Sequence, residues 1–126
     1  MAENQEIKSI KSPEALKEQL EKALDEFFEN IEEGIQQELD TTKNSWLSCL
    51  ATRVSGLQVI FSPTNGLSMK NFIKIAGELS DGKFGSKAIS ALKDQHPDGN
   101  PPDEVKQELI QGLKNYALEL KLKNNL

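Results

Sequence analysis

The stretch that decides the fold is SPEALKEQLEKALDEFFENIEEGIQQEL, residues 12–39. Ser12 can cap a helix, Pro13 suits its first turn, and the Glu14 carboxylate favours the positive end of the helix dipole. Apolar residues then recur in steps of three and four, the period of an α-helix. We therefore expect one amphipathic helix of roughly 28 residues, about 40 Å long. Its apolar stripe is Leu16, Leu20, Ala23, Leu24, Phe27, Ile31, Ile35 and Leu39.

Polar segments rich in Asp, Asn, Gly and Pro divide the rest of the chain, and such residues interrupt helices. Between these segments apolar residues again recur at helical spacing, which predicts four further helices. The first of the four is expected from about residue 45 to residue 61. The dividing segments are DTTKNS (40–45), SPTNG (62–66), SDG (80–82) and DQHPDGNPP (94–102).

The third helix of the chain has clear start and stop signals. Ser68 is predicted to cap its N-terminus, and Gly82 is expected to end it in the left-handed conformation. Its apolar stripe is predicted to be Met69, Phe72, Ile73, Ala76 and Leu79.

The last two helices differ in length. A short fourth helix is expected to begin with Ser86 as its cap. The final helix is expected to begin near Pro102, with Asp103 as its cap, and to run to about Lys123.

Together these elements predict an all-α fold, a helical bundle of four main amphipathic helices plus one short helix. Residues that favour strands, such as Val and Thr, are scarce, and a chain of 126 residues is long enough to bury its own core. We expect residues 12–126 to form a single domain and residues 1–11 to form a flexible N-terminal arm.

Cysteine content and hydropathy limit the compartment. Cys49 is the only cysteine, which excludes an internal disulfide and a cysteine-based zinc site. The N-terminus lacks the apolar core of a signal peptide, and no apolar run is long enough to span a membrane. We expect a cytoplasmic protein without a membrane span, or one exported by a route that the sequence does not display.

The segment GELSDGK (77–83) has the spacing of a phosphate-binding loop, with Gly77, Gly82 and Lys83. Such a loop requires a preceding strand, and Ser or Thr after the lysine to hold Mg²⁺. Here Gly77 falls within a helical pattern, and Phe84 follows the lysine. The sequence therefore favours the end of one helix and the start of the next over a nucleotide site.

The same connection has features of a weaker anion site. The N-terminus of a helix directs free N–H groups outward, and nearby lysines add positive charge. The candidate anion-binding residues are Lys83, Ser86 and Lys87.

The sequence provides no positive sign of catalysis. The segment that begins at Asp94 resembles the start of a calcium loop, but Val105 stands where the bidentate glutamate should be. His96 is the only histidine, and Cys49 lies in an apolar helix. We expect no enzyme, no catalytic residue, no metal and no cofactor.

Charge is unevenly distributed along the chain. Residues 1–40 carry a net charge of −8, residues 41–93 a net charge of +5, and the remainder −2. Either the acidic first helix neutralises the basic segment within the fold, or two exposed faces of opposite sign attract partners. Nucleic-acid binding is not expected, because aromatic residues are few and the whole chain has a net charge of −5.

These features predict a small acidic protein-binding module, such as an adaptor, inhibitor, immunity protein or secretion chaperone. Phe27 and Phe28 make the first apolar stripe wider than a narrow helix seam needs, and with Ile31 they are the candidate partner-binding residues. The alternative is that both phenylalanines belong to the core. The partner is another protein or a second copy of this chain. The alternative is a bundle that carries a small apolar or anionic ligand, with Lys83 or Lys87 near the mouth.

Overall fold

A computed structural model describes residues 12–126 of the chain. Within this range the fold is all-α, as expected, and contains no strand. The flexible arm predicted for residues 1–11 lies outside the described residues. The helices are α1 (Pro13–Thr41), α2 (Trp46–Ile60), α3 (Met69–Asp81), α4 (Ser86–Gln95) and α5 (Asp103–Lys123), with a 3-10 turn at Pro63–Asn65 between α2 and α3.

Helix α1 begins as the sequence predicts. The Ser12 hydroxyl accepts a hydrogen bond of 3.1 Å from the backbone N–H of Ala15, and Pro13 occupies the first turn. At its C-terminal end the backbone N–H of Thr42 donates to the Glu38 carbonyl oxygen at 2.9 Å. The fully buried part of the predicted stripe consists of Leu20, Leu24, Ile31 and Ile35.

Helix α2 lies at the centre of the bundle, in contact with α1, α3 and α4. Its side chains explain this position, because Arg53 is the only charged residue among its fifteen. Ser45 caps its N-terminus by accepting a hydrogen bond of 3.3 Å from the backbone N–H of Ser48. The apolar residues that recur at helical spacing in this segment are all buried: Leu47, Leu50, Val54, Leu57 and Phe61.

The prediction for the apolar face of α3 is partly wrong. Ile75 and Leu79 are fully buried, whereas Met69 is 58% exposed and Ile73 is 64% exposed. Apolar residues lie on more than one side of this helix, and Ile73 and Ile75 are about 200° apart around its axis. The period alone therefore does not decide which side faces the core.

Contacts from α5 fix the rotation of α3. The Tyr116 hydroxyl donates to the Glu78 carbonyl oxygen at 3.0 Å, and the Lys123 amine pairs with the Glu78 carboxylate at 3.0 Å. These contacts hold Glu78 against α5. Met69 and Ile73 are consequently on a side of α3 that faces solvent.

Gly82 does not end α3 in the left-handed conformation, since its φ is −91°. The position instead requires a small residue, because a Cβ there would overlap the Tyr116 hydroxyl and lie 2.6 Å from the Glu78 carbonyl oxygen. The glycine is explained by the close approach of α5 rather than by a positive φ.

Two predicted caps are also wrong. Gly85, not Ser86, stands at the N-cap position of α4, and no side chain accepts a hydrogen bond there. Pro102 occupies the N-cap position of α5, so Asp103 lies in the first turn, where its carboxylate is 3.7 Å from the Lys106 amine. In both cases the N-cap lies one residue earlier in the chain than the sequence predicts.

Candidate interaction surface

The three predicted partner-binding residues of α1 do not form one exposed patch. Ile31 is only 2% exposed and belongs to the core. Phe27 and Phe28 are partly buried and pack against that core, with their rings edge to face and their centroids 4.9 Å apart. The two phenyl rings thus have a structural role, and a role in binding a partner stays a prediction.

The three predicted anion-binding residues lie at the connection between α3 and α4 and in the first turn of α4, and all three are exposed. The Lys83 amine is 5.9 Å from the centre of the Tyr116 ring. Ser86 borders a hollow of about 200 Å³ between α2, α3 and α4, which Lys83 and Lys87 do not line. The structure therefore brings these residues near one another without one shared cavity, and anion binding stays a prediction.

Few of the opposite charges seen in the sequence form ion pairs within the described fold. Of the α1 carboxylates, Glu21 pairs with Lys121 at 2.9 Å and Glu38 with Arg53 at 3.4 Å. Among residues 12–126, no lysine of the basic segment makes an ion pair with α1. The acidic and the basic surfaces thus both remain exposed to solvent.

The cysteine lies in a small polar cluster between α1 and α2. The Glu38 carboxylate, which raises the pKa of the Cys49 thiol, accepts a hydrogen bond of 3.4 Å from the Arg53 guanidinium. Arg53 in turn donates to the Gly34 carbonyl oxygen at 3.2 Å. Burial, followed by the nearby Glu38 carboxylate, raises the pKa of Cys49 to about 11, so the side chain stays a thiol near neutral pH.

Two further findings concern residues 12–126 only. This part of the chain contains no group of three or more His, Cys, Asp or Glu side chains placed to hold a metal ion. It also contains no helix with the length and apolar character needed to cross a bilayer.

A cleft of about 440 Å³ opens where the start of α1 meets the connection before α3 and the end of α5. Its walls are mixed, with Leu16, Leu67 and Leu126 beside Asn65 and Asn71. The volume is within the range of small-molecule sites. Neither Lys83 nor Lys87 lines it, so this cleft is not the lysine-flanked mouth that the carrier hypothesis expected.

The most distinctive exposed feature is on α3. Met69 and Ile73 are one helical turn apart, and the exposed lysines Lys70 and Lys74 follow them in the same spacing. Neither lysine makes an ion pair with any described residue. We call these four residues the α3 surface.

The α3 surface extends into open space. A Cβ placed at Gly77, one turn after Ile73, would meet no atom within 4 Å. Residues 41–77 contain no Asp or Glu, and Glu78, one turn after Lys74, pairs with Lys123 of α5 instead. The repeat of an apolar residue followed by lysine, MK at 69–70 and IK at 73–74, was the sequence signal for this surface, although the same apolar residues also fit a core stripe.

A second exposed apolar pair lies on α5. Leu118 is 46% exposed and Leu122 is 77% exposed, again one turn apart. On the same side of the helix lie the amides of Gln111 and Asn115, which hydrogen-bond to each other at 3.1 Å. Two exposed charges without an ion pair in residues 12–126 also flank this pair, Lys114 and Glu119, but they have opposite sign, so the pair lacks the net positive charge of the α3 surface.

Comparison with known proteins adds no relative to this description. No family model matches the chain, and no curated protein or solved structure is detectably similar to it.

Proposed function

We propose that this chain is a small acidic protein-binding module without catalytic activity, and that it contacts its partner through the α3 surface. The observation that carries the proposal is the exposure of Met69 and Ile73, one turn apart on a helix and beside two unpaired lysines. Exposed large apolar side chains that lie together on a folded protein commonly mark a contact with another chain.

The energetics suit a partner of moderate affinity. Burying the exposed parts of Met69 and Ile73 contributes on the order of 1–2 kcal/mol for each side chain. Helix α3 is fixed before binding, because Ser68 caps its start at 3.1 Å and Glu78 is held by α5. Little conformational entropy is lost when such a preorganised surface is covered.

The one cysteine of the chain, Cys49, gives no support for catalysis. Cys49 is fully buried and its pKa is raised, whereas a nucleophilic cysteine needs a lowered pKa and access to substrate. The chemistry of the exposed surface is that of recognition: apolar area for affinity, and charge for orientation and rate of association.

A photo-crosslinking experiment tests the proposal. A benzophenone amino acid is placed at Met69, at Ile73 or, as a control, at the exposed Asn30 of α1, and each variant is irradiated in lysate of the native source. We expect the first two positions to yield the same adduct, which Asn30 does not form. Identical adducts from all three positions, or none from α3, would contradict the proposal.

Mass spectrometry of the adduct distinguishes the two kinds of partner. A product of twice 14.0 kDa identifies a second copy of this chain, and any other mass identifies a different protein. Either result agrees with a protein-binding module.

The cleft of about 440 Å³ supports a second candidate, the carrier of a small ligand. Native and denaturing mass spectrometry of the purified chain test it directly. A carrier shows extra mass in the native spectrum that disappears on denaturation. A native mass equal to that of the bare chain would contradict the carrier function.

A further inference from the structure

We infer that the partner covers the α3 surface with an acidic, amphipathic helix; this inference rests on the proposed function. The α3 surface presents an apolar strip, Met69 and Ile73, next to a basic strip, Lys70 and Lys74. A complementary segment needs apolar side chains for the first strip and carboxylates for the second.

The local charge determines the sign of the partner. Both lysines are exposed and without an ion pair within residues 12–126. The nearest acidic residue of the same helix, Glu78, is held by Lys123 of α5 at 3.0 Å. The start of α3 therefore carries uncompensated positive charge, which favours an acidic partner and disfavours a basic one.

The shape of the surface favours a helical partner. The apolar residues lie on the outer face of a helix, whose backbone groups are already hydrogen-bonded within the helix. The surface therefore offers no strand edge to which an extended peptide could add. A second helix can pack its own ridge of side chains beside Met69 and Ile73. Its apolar residues at helical spacing would then lie opposite α3, with its carboxylates next to Lys70 and Lys74.

A second copy of this chain that docks through α1 fits less well. Helix α1 supplies many exposed carboxylates, but none of the large exposed apolar residues of the described chain is on α1. Docking α1 of one copy on α3 of another would therefore pair the charges and leave Met69 and Ile73 without apolar contacts. Such a contact is also head to tail, and it generates open chains unless the rotation closes.

Peptide selection tests the inference. A displayed library of random 16-residue peptides is selected on the full chain, and the enriched peptides are measured against Ile73→Asp, against the double variant Lys70→Glu/Lys74→Glu, and against Lys22→Glu as a matched control on α1. Circular dichroism of each variant checks that the fold is intact, and Met69→Asp serves as a second probe of the apolar strip.

We expect enriched peptides with excess Asp and Glu and with apolar residues at helical spacing. Their affinity should fall about tenfold or more with Ile73→Asp and with the double lysine variant, and remain unchanged with Lys22→Glu. Raising the salt concentration should weaken binding, because the charged groups are exposed.

Two other outcomes overturn the inference and are distinguishable. Peptides that depend on Ile73 but are neutral or basic, and do not respond to the lysine variant, contradict an acidic partner and leave the proposed function standing. If no enriched peptide responds to Ile73→Asp or to Met69→Asp, both the inference and the α3 surface as a binding site are wrong.

Discussion

The side-chain amide oxygen of Asn100 accepts a hydrogen bond of 3.0 Å from the backbone N–H of Trp46, 54 residues earlier in the chain. Next to it, the Gly99 carbonyl oxygen accepts from the backbone N–H of Leu47 at 2.9 Å. The connection between α4 and α5 thus satisfies two free N–H groups at the start of α2. The polar residues that suggest a calcium loop in the sequence are part of a distant helix cap.

Removing this cap should destabilise the protein. Asn100→Ala leaves the Trp46 N–H without its partner and is expected to lower the free energy of unfolding by about 1 kcal/mol. Urea denaturation measures the change. The matched control is Asn44→Ala in the connection before α2, because the Asn44 side chain is exposed and makes no hydrogen bond within residues 12–126. Equal effects of the two substitutions would contradict the capping role.

Two glycines should respond to alanine in opposite directions. Gly66 has a φ of +88°, and a Cβ there would overlap the Leu16 side chain, so Gly66→Ala is expected to cost about 1–2 kcal/mol or more. Gly77 lies in the exposed interior of α3 with open space around it, so Gly77→Ala should gain about 0.5–1 kcal/mol from helix propensity. Thermal or urea unfolding measures both. A loss of stability with Gly77→Ala would show that its surroundings are not open.

The sequence predicts the helices more reliably than their rotation. Ser12 and the period of the first stripe locate α1, because both signals are local. The central position of α2 was not predicted, although its single charged residue agrees with that position. On α3 the apolar residues allow more than one buried side, and contacts of Tyr116 with Glu78 decide between them. Those contacts join residues 38 positions apart, which local periodicity does not reveal.

The same limit explains why the candidate site was missed. Met69 and Ile73 are spaced as core residues would be, and only the rotation of α3 shows that they are exposed. The segregation of charge is visible in the sequence, but whether the charges pair depends on which helices are neighbours. In the fold, α1 meets α2, whose one charged residue is Arg53, so most lysines of the basic segment are not opposite the acidic helix.

The edge-to-face contact of Phe27 and Phe28 separates a core role from a binding role. Both rings pack against the core, so Phe28→Leu is expected to lower stability by about 1 kcal/mol, and Phe28→Asp by more. A double-mutant cycle with Phe27→Leu should give a coupling of about 0.5–1.5 kcal/mol. If Phe28→Asp instead leaves urea stability unchanged and weakens partner binding, the ring is a contact residue.

Cys49 should be protected from alkylation in the native state. Its pKa is raised to about 11, mainly by burial and then by the nearby Glu38 carboxylate. A shift of about two units lowers the thiolate fraction near pH 8 about a hundredfold. Labelling with a chromogenic disulfide at pH 8 should therefore be slower by at least about that factor than in denaturant. Comparable rates in the two states would contradict the burial.

The raised pKa also predicts how stability changes with pH. Between the unfolded and the folded pKa of Cys49, the unfolded chain has released the proton that the native state still holds, so ionisation favours unfolding. Its contribution to stability is complete below about pH 8.5, the ordinary pKa of cysteine, and is lost as the pH rises towards about 11. Burial also raises the pKa of Tyr116, which acts with the same sign. The contribution of Cys49 to this pH dependence is therefore measured as the difference in the free energy of unfolding between wild type and Cys49→Ala, by urea denaturation at pH 7, 9 and 10.5. A decline of equal size in both proteins would show that the thiol makes no contribution.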